Sequence, residues 1–451
     1  MIYLLLFFLM KALRPDGFGV DANLWETSNL LVLVAGCLHY APVRFMKFYY
    51  TPLKSTGFLW LSAFIVLFII SVWRSSDFVS SSIGVLKDTI TLLLLLLLTY
   101  LYQQHLFTHQ RPFSRPVLVG ILHAIGIFCL LNLLAIVMNP MFGHSSFTTL
   151  AVLGLQGKKI VFSMYPAVHP NYVGIVGGYL FVMSLERSLF GPGFFAKLIR
   201  GVYLASGLMV VFISDSRSNL LAAVLSGLIV IALQYTKKLS LIKYSVLLIP
   251  FSHVLFLILL QFAAGFSAVQ SISRDSSDLS TGNSRKFIFE AATNELNDFK
   301  PLHLVGYGEY GIYGAGLTRY YMKWFGQVTT EEVKLNASVA HNTALQVIFD
   351  MGYLGLLAYC MLIFFALSYA VKLYQAGYRE YLALLSFFTY NLITGFTTTR
   401  FGNYHEVGNQ LFIVFCFFII TTYQYHSLKK EDLPVSLRST HSSPSTWQTT
   451  S

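Results

Sequence analysis

The chain has 451 residues, of which 55% are hydrophobic, 16% aromatic and 11% charged, with a mean hydropathy of +0.62. Soluble domains carry about 25% charged residues, so this composition excludes an ordinary soluble fold and defines an all-α polytopic membrane protein. The net charge of +11 lies in short gaps between apolar runs rather than in one stripe, which argues against nucleic acid as a partner and fits loops on one membrane face.

A membrane-spanning helix takes roughly 20 mostly apolar residues. Taken in chain order, runs of that kind fall at 57–73, 85–103, 116–138, 167–187, 199–214, 217–235, 243–265, 343–371, 379–397 and 408–425, with weaker ones at 28–43 and Met1–Leu13. They predict eleven or twelve spans and one large segment, 266–340, between the ninth and tenth. Met1–Leu13 has no basic residue ahead of its apolar run and is followed by Lys11 and Arg14, which makes it a retained helix rather than a cleaved signal. Alternate gaps hold the cations: Arg44, Lys47 and Lys54; Arg111 and Arg115; Arg187, Lys197 and Arg200; Lys237, Lys238 and Lys243; Lys372 and Arg379; and, in the tail, Lys429, Lys430 and Arg438. The positive-inside rule makes these cytoplasmic. The gaps at 14–27, 74–84, 139–166, Ser214–Ser216, 266–340 and 398–407 then face outward, with Lys11 and Arg14 against the rule at the first of them. Residues 1–166 read as N-terminal transmembrane helices, 167–425 as a further membrane region holding the large segment 266–340, and the Ser/Thr-rich 426–451 as a disordered cytoplasmic tail.

Cys37, Cys129, Cys360 and Cys416 all lie in apolar runs and form neither a disulfide framework nor a metal pattern. No Walker loop, Asp-x-Asp pair or Cys/His cluster is present, so no cofactor and no metal is expected.

The polar residues of interest sit at the outer helix ends. In Ile213-Ser214-Asp215-Ser216-Arg217-Ser218-Asn219 the capping residues start a helix with Arg217 in its first turn. A helix N-terminus already favours anions, so an arginine there concentrates positive potential. Arg217 is then either an interfacial residue paired with Asp215 or part of an anion site. Within the outer segment, Thr281-Gly282-Asn283-Ser284-Arg285 predicts a turn and an amphipathic helix, again with an arginine in its first turn. Gly306-Tyr307-Gly308-Glu309-Tyr310-Gly311 lacks nucleotide-loop spacing. It reads as a sugar-accommodating aromatic loop or a flexible connection. His341-Asn342 then opens the next apolar helix; a histidine so placed is more often a cap or a solvated residue than a catalyst.

The run from His341-Asn342 to Asp350-Met351-Gly352-Tyr353-Leu354-Gly355 resembles the hallmark of the O-antigen ligase and polymerase superfamily. There a histidine-asparagine pair opens a membrane helix and an acidic-x-Gly-x-x-Gly element follows. Arg217 matches the family's arginine in a tight outward turn. Gly282, Arg285, Ile288 and Phe289 loosely match its Gly-Arg-x-x-Ile-Trp-like element, and His169-Pro170-Asn171-Tyr172-Val173-Gly174 is similar to a further one. Phe289 stands where tryptophan is usual, Asn283-Ser284 separates Gly282 from Arg285, and Asp350 stands where glutamate is common. The resemblance covers 167–425.

What the resemblance implies is transfer of a preassembled glycan from undecaprenyl diphosphate to an acceptor at the periplasmic face of a bacterial inner membrane. His341 is then the general base, Arg217 and Arg285 hold the diphosphate, and Asp215, Asn342, His169 and Asn171 support them. The acceptor is lipid A-core sugar for a ligase or a second lipid-linked glycan for a polymerase. One dominant outer segment favours the ligase. A protein-glycosylating oligosaccharyltransferase and, from another class, a lipid or polysaccharide transporter are the alternatives. The transporter predicts ionisable residues buried in midspan and broken helices, with Asp88, Glu186 and Asp350 the nearest candidates.

Overall fold

The computed structural model describes residues 2–12, 22–40, 55–74, 82–108, 114–138, 145–150, 155–160, 170–214, 216–264, 285–318, 339–399 and 407–431. The N-terminal helices are α1 (Ile2–Ala12), α2 (Ala22–Tyr40), α3 (Thr56–Trp73), α4 (Ser82–Thr108) and α5 (Ser114–Met138). An antiparallel hairpin, β1 (Ser145–Leu150) and β2 (Leu155–Ile160), precedes α6 (Pro170–Ser184), α7 (Phe194–Ile213) and α8 (Arg217–Tyr235). A 3-10 segment, Leu239–Leu248, leads into α9 (Ser252–Ala264). The outer segment contributes α10 (Arg285–Asn297) and two single turns, Leu302–Val305 and Gly311–Gly314. Last come α11 (Thr343–Gln375), α12 (Tyr381–Gly395) and α13 (Val407–Glu431).

The architecture is that of an all-α polytopic membrane protein, and the hairpin is its one departure among the described residues. Stretches within α3, α4, α5, α7, α8 and α11 are long and apolar enough to cross a bilayer, and the bent pair before the outer segment can make a seventh span. Helices α6 and α12 have 15 residues each. At about 1.5 Å per residue they fall short of the roughly 30 Å hydrocarbon thickness. Helix α12 is accordingly a core element: Phe387, Phe388 and Tyr390 have no exposed surface. Helices α7 and α8 turn Leu221, Leu228 and Met209 outward, as lipid-facing helices must.

Close approach of backbones sets the α6/α7 contact. A Cβ on Gly207 would come within 2.7 Å of the Phe181 nitrogen and 2.8 Å of the Gly177 carbonyl. Small residues at such crossings let membrane helices pack by van der Waals contact, since lipid offers no hydrophobic drive.

Two predicted continuous helices are interrupted. The run 243–265 is a 3-10 segment and a helix whose axes meet at 91°. Pro250 in the break lacks the N–H that would continue the ladder. Helix α11 is broken at Gly352, where φ is 74° and ψ −175°. Helix α13 runs on to Glu431, past the predicted end at 425. The predicted disordered tail beyond 431 lies outside the described residues.

Candidate functional site

The site forms where α11 begins. Asn342 is its N-cap: the side-chain Oδ1 accepts from Leu345 N at 3.1 Å, while Nδ2 donates to Ser252 Oγ at 2.9 Å and to the Phe396 carbonyl at 3.4 Å. The Pro250 bend delivers Ser252 to this point, so the break missed in sequence has a role in placing the cap. One residue earlier, His341 has φ of +51°, the left-handed region that few residues other than glycine adopt. Flanking bonds hold it there, because Ala340 N donates to Gln346 Oε1 at 2.8 Å and Gln346 N donates to Asn342 O at 3.0 Å. A bulky residue kept in a strained conformation by its neighbours is a mark of a functional position. His341 itself is half-buried.

Gln346 continues the network inward. Its Nε2 donates to both oxygens of Asp350, at 2.9 and 3.1 Å. Asn342, Gln346 and Asp350 are spaced by four residues and share one face of α11, a signal readable in the sequence and not used there. Asp350 is 2% exposed and accepts from Gly311 N at 2.8 Å.

The Gly-rich loop docks on the helix break. With Gly352 out of helical geometry, the carbonyls of Phe349 and Asp350 lose their ladder partners and need new ones. Tyr307 N donates to Phe349 O at 2.7 Å, Gly308 N to Asp350 O at 3.1 Å, and Ser71 Oγ of α3 to Asp350 O at 3.0 Å. Glu309 N returns a bond to Ser71 O at 3.0 Å. At Gly306 and Gly311 a Cβ would overlap the backbone of Phe349–Met351. The loop is thus a docked element rather than a flexible connection.

Its outer side is pinned by a polar cluster. Tyr307 Oη donates to Glu295 Oε1 at 2.9 Å, Lys300 pairs with the same oxygen, and Lys300 N donates to Nδ1 of the buried His303 at 3.2 Å. Acceptance at Nδ1 leaves the His303 proton on Nε2, within 3.1 Å of Tyr307 Oη. Burial alone would push the Glu295 carboxyl up, but the bonds from Lys300, Tyr307 and His303 outweigh it and hold the group below its ordinary value. Burial, then the bond to Glu295, pushes the Tyr307 hydroxyl up to about 12.

Helix α10 begins at Arg285, as expected, and its apolar face is the bridge to the site. Ile288, Phe289 and Ala292 share a buried cluster with Ala340, Leu345 and Phe349. Arg285 therefore opens the helix that packs on the first two turns below His341. Phe289, in the place of the usual tryptophan, has no exposed surface and meets the rings of Phe256 and His253 edge-on. His253 was not singled out in the sequence, where a lone histidine in an apolar run carries no signal.

The second arginine sits at the same end of the bundle. The ends of α8 and the beginning of α12 share a cavity through Gln234 and Leu382, so these helices run in opposite directions. Helix α12 then delivers Gly395 against Thr343, and the start of α8, where Arg217 stands, lies at that end. Gly174 of α6 packs on Ser214, Ser216 and Asn219, joining the His169–Gly174 element to the arginine turn. Asn219 Nδ2 donates to Ser216 Oγ at 2.6 Å within that turn. Asp215 and His169 lie outside the described residues. Arg217 and Asn171 are placed by their backbones, at the first positions of α8 and within the first turn of α6.

Behind the cap lies a cavity of about 330 Å³, bounded by α8, the 3-10 segment, α11 and α12, with Ser252, Thr343 and Asn391 among otherwise apolar walls. Tyr179 Oη donates to Asn391 Oδ1 at 2.9 Å on the far side.

The buried carboxylate and broken helices that a transporter would show are both present, and both are engaged by neighbouring groups; the side chain of Asp88 lies outside the described residues. Asp350 is bonded by Gly311 and Gln346, and the Gly352 break is filled by the loop. Glu186 caps the short turn after α6 through Ser188 N at 2.8 Å.

Fold and site together define a polytopic membrane protein with a histidine-opened helix beneath an outer helical segment. Residues 202–360 match the O-antigen ligase family, Wzy_C. The match runs from within α7 through the Gly352 break and includes Arg217, Arg285, His341 and Asp350, so this part of the chain is similar to a family of glycan-processing membrane proteins. No curated protein matches the chain.

Proposed function

We propose that the protein transfers a preassembled glycan from undecaprenyl diphosphate to an acceptor hydroxyl at the periplasmic face of a bacterial inner membrane, in the manner of an O-antigen ligase. The acceptor oxygen bonds to the anomeric carbon as that carbon's bond to the diphosphate oxygen breaks. The proton of the hydroxyl passes to His341, and the electron pair leaves with the diphosphate. Arg217 and Arg285 stabilise that developing charge, each in the planar, bidentate way that a lysine cannot match. Asn342 fixes the start of the helix that carries the base, and Asp215, His169 and Asn171 support the arginine turn. The activated donor supplies the energy, and the step as written uses no metal.

The observation that carries this reading is the strained backbone of His341, held over a helix N-terminus by the bonds of Asn342 and Gln346. His341 stands at the opening of α11, and the reading needs its imidazole to accept the hydroxyl proton there. The apolar cavity beside Thr343 has room for part of a polyprenyl chain. The test is transfer in detergent from purified lipid-linked glycan to lipid A-core. With normal expression, Arg217→Lys and Arg285→Lys should each lose about 10²–10³ in rate. Near-wild-type turnover by both would refute the clamp. Product elongated on the polyprenyl lipid would assign a polymerase, and movement of lipid across vesicles without transfer would assign a transporter.

A further inference from the structure

The other end of the bundle holds a second site. A cavity of about 1280 Å³ lies between the start of α5, the turn after α6, the start of α7, the end of α8 and the approach to α12. Arg115, Arg187, Lys197, Arg200 and Arg379 line it, drawn from separate elements. It is remote from His341: Tyr374, near the far end of α11, forms part of its wall, as does Leu382 at the beginning of α12.

The cations are not consumed by internal pairing. Arg200 donates from Nε and Nη2 to the carbonyls of Ser184 and Leu185, each at 3.0 Å, which fixes its guanidinium against the end of α6. Arg115, Arg187, Lys197 and Arg379 form no ion pair among the described residues, and Arg115 lies beside Gly191 with no side chain between them. Glu186, the carboxylate in the lining, is engaged by Ser188 N. Converging guanidinium and ammonium groups in a space of this size fit a phosphate-bearing ligand.

The apolar surroundings choose among such ligands. Phe194 and Phe195, at the opening of α7 and next to the cavity wall, are 74% and 76% exposed, and Leu198 is 52% exposed. Phe190, Val230 and Ile231 line the interior on the same side. A soluble anion has no use for that surface, whereas a lipid covers it with acyl chain while its headgroup enters among the cations. We propose that this cavity binds the headgroup of an anionic glycerophospholipid, with the acyl chains lying against the outer faces of α7 and α8. Bound there, the lipid ties the turn after α6 to the approach to α12 and so braces α6 and α12, the two short helices that carry the site at the other end.

The test is native mass spectrometry of the full-length protein in neutral detergent, titrated with phosphatidylglycerol or phosphatidylcholine. Wild type should retain phosphatidylglycerol selectively, and millimolar inorganic phosphate should not displace it. Each cation removed should weaken binding about fivefold, so Arg187→Gln with Arg379→Gln should cost about twenty-five-fold. Lys197→Gln, on an exposed side chain, should cost about fivefold with an unchanged melting temperature in phosphatidylcholine, which separates lost binding from lost folding. Lys237→Gln with Lys238→Gln, at the same end of the bundle but outside the cavity, should leave binding intact. Equal retention of the two lipids, full binding by the double arginine variant, an equal loss from the Lys237 and Lys238 changes, or displacement by phosphate alone would each overturn the proposal.

Discussion

At the scale of single residues, His341 combines two properties that pull against each other. Its left-handed backbone costs about 1–2 kcal/mol for a residue with a Cβ, yet the proposed function requires its side chain to be held there to take the acceptor's proton. Substitution should separate the two. His341→Gly should melt at a higher temperature than His341→Ala, because glycine takes this conformation freely. Both should lose roughly 10²–10⁴ in turnover while donor binding persists, the usual span for a positioned base. The wild-type rate should rise with pH through the histidine range, and that slope should vanish in the variants. Equal melting of the Gly and Ala variants would remove the strain argument, and unchanged kinetics would remove His341 from the chemistry.

At the scale of elements, the outer segment is tied to the membrane helices by backbone bonds at one break. Gly352→Ala should destabilise by about 1–3 kcal/mol from its backbone conformation alone, and its new Cβ would overlap the Leu304 carbonyl besides. Far-UV helix content should hold while trypsin cuts faster at Lys286, in the segment the loop secures. Unchanged cleavage would mean that docking does not depend on this break. The polar cluster beneath the loop gives a pH signature. Glu295 has its folded value below the ordinary 4.5, so its contribution is present above that pH and is lost as pH falls through the folded value. Tyr307 is raised from 10 to about 12, so its contribution is complete below pH 10 and disappears between 10 and 12. Melting curves of Glu295→Gln should lie below wild type at neutral pH and converge with it in acid; parallel curves across that range would exclude the cluster as a source of stability.

At the scale of the whole molecule, the two ends of the bundle differ in kind. The backbones of Arg217, Arg285 and His341 lie toward one end, and the basic cavity lies at the other. By the positive-inside rule the basic end is expected to be cytoplasmic. A cysteine at position 300 should therefore react with an impermeant thiol reagent from the periplasmic side, while one beyond His426 should react after the inner membrane is opened. Position 300 labelled solely from the cytoplasm would invert the arrangement and move the site to the wrong compartment for a lipid-linked glycan.

The sequence by itself determined the class, the helical runs, the arginine at the head of α8 and the helix opened by His341-Asn342. These follow from composition, apolar run length and capping residues, which act over a few neighbouring positions. The 91° bend at Pro250 and the break at Gly352 were within its reach, since each carries a local signature, but an apolar run masks a break when hydropathy alone is read. The tertiary structure decided the rest. That Ser252 would brace Asn342, that Phe289 would pack on Leu345 and Phe349, and that the Gly-rich loop would satisfy carbonyls released at Gly352 depend on partners far apart in the chain. So does the gathering of Arg115, Arg187, Lys197, Arg200 and Arg379 into one cavity. In sequence each cation is an ordinary loop charge, and it becomes part of a site when antiparallel packing brings the ends of separate helices together.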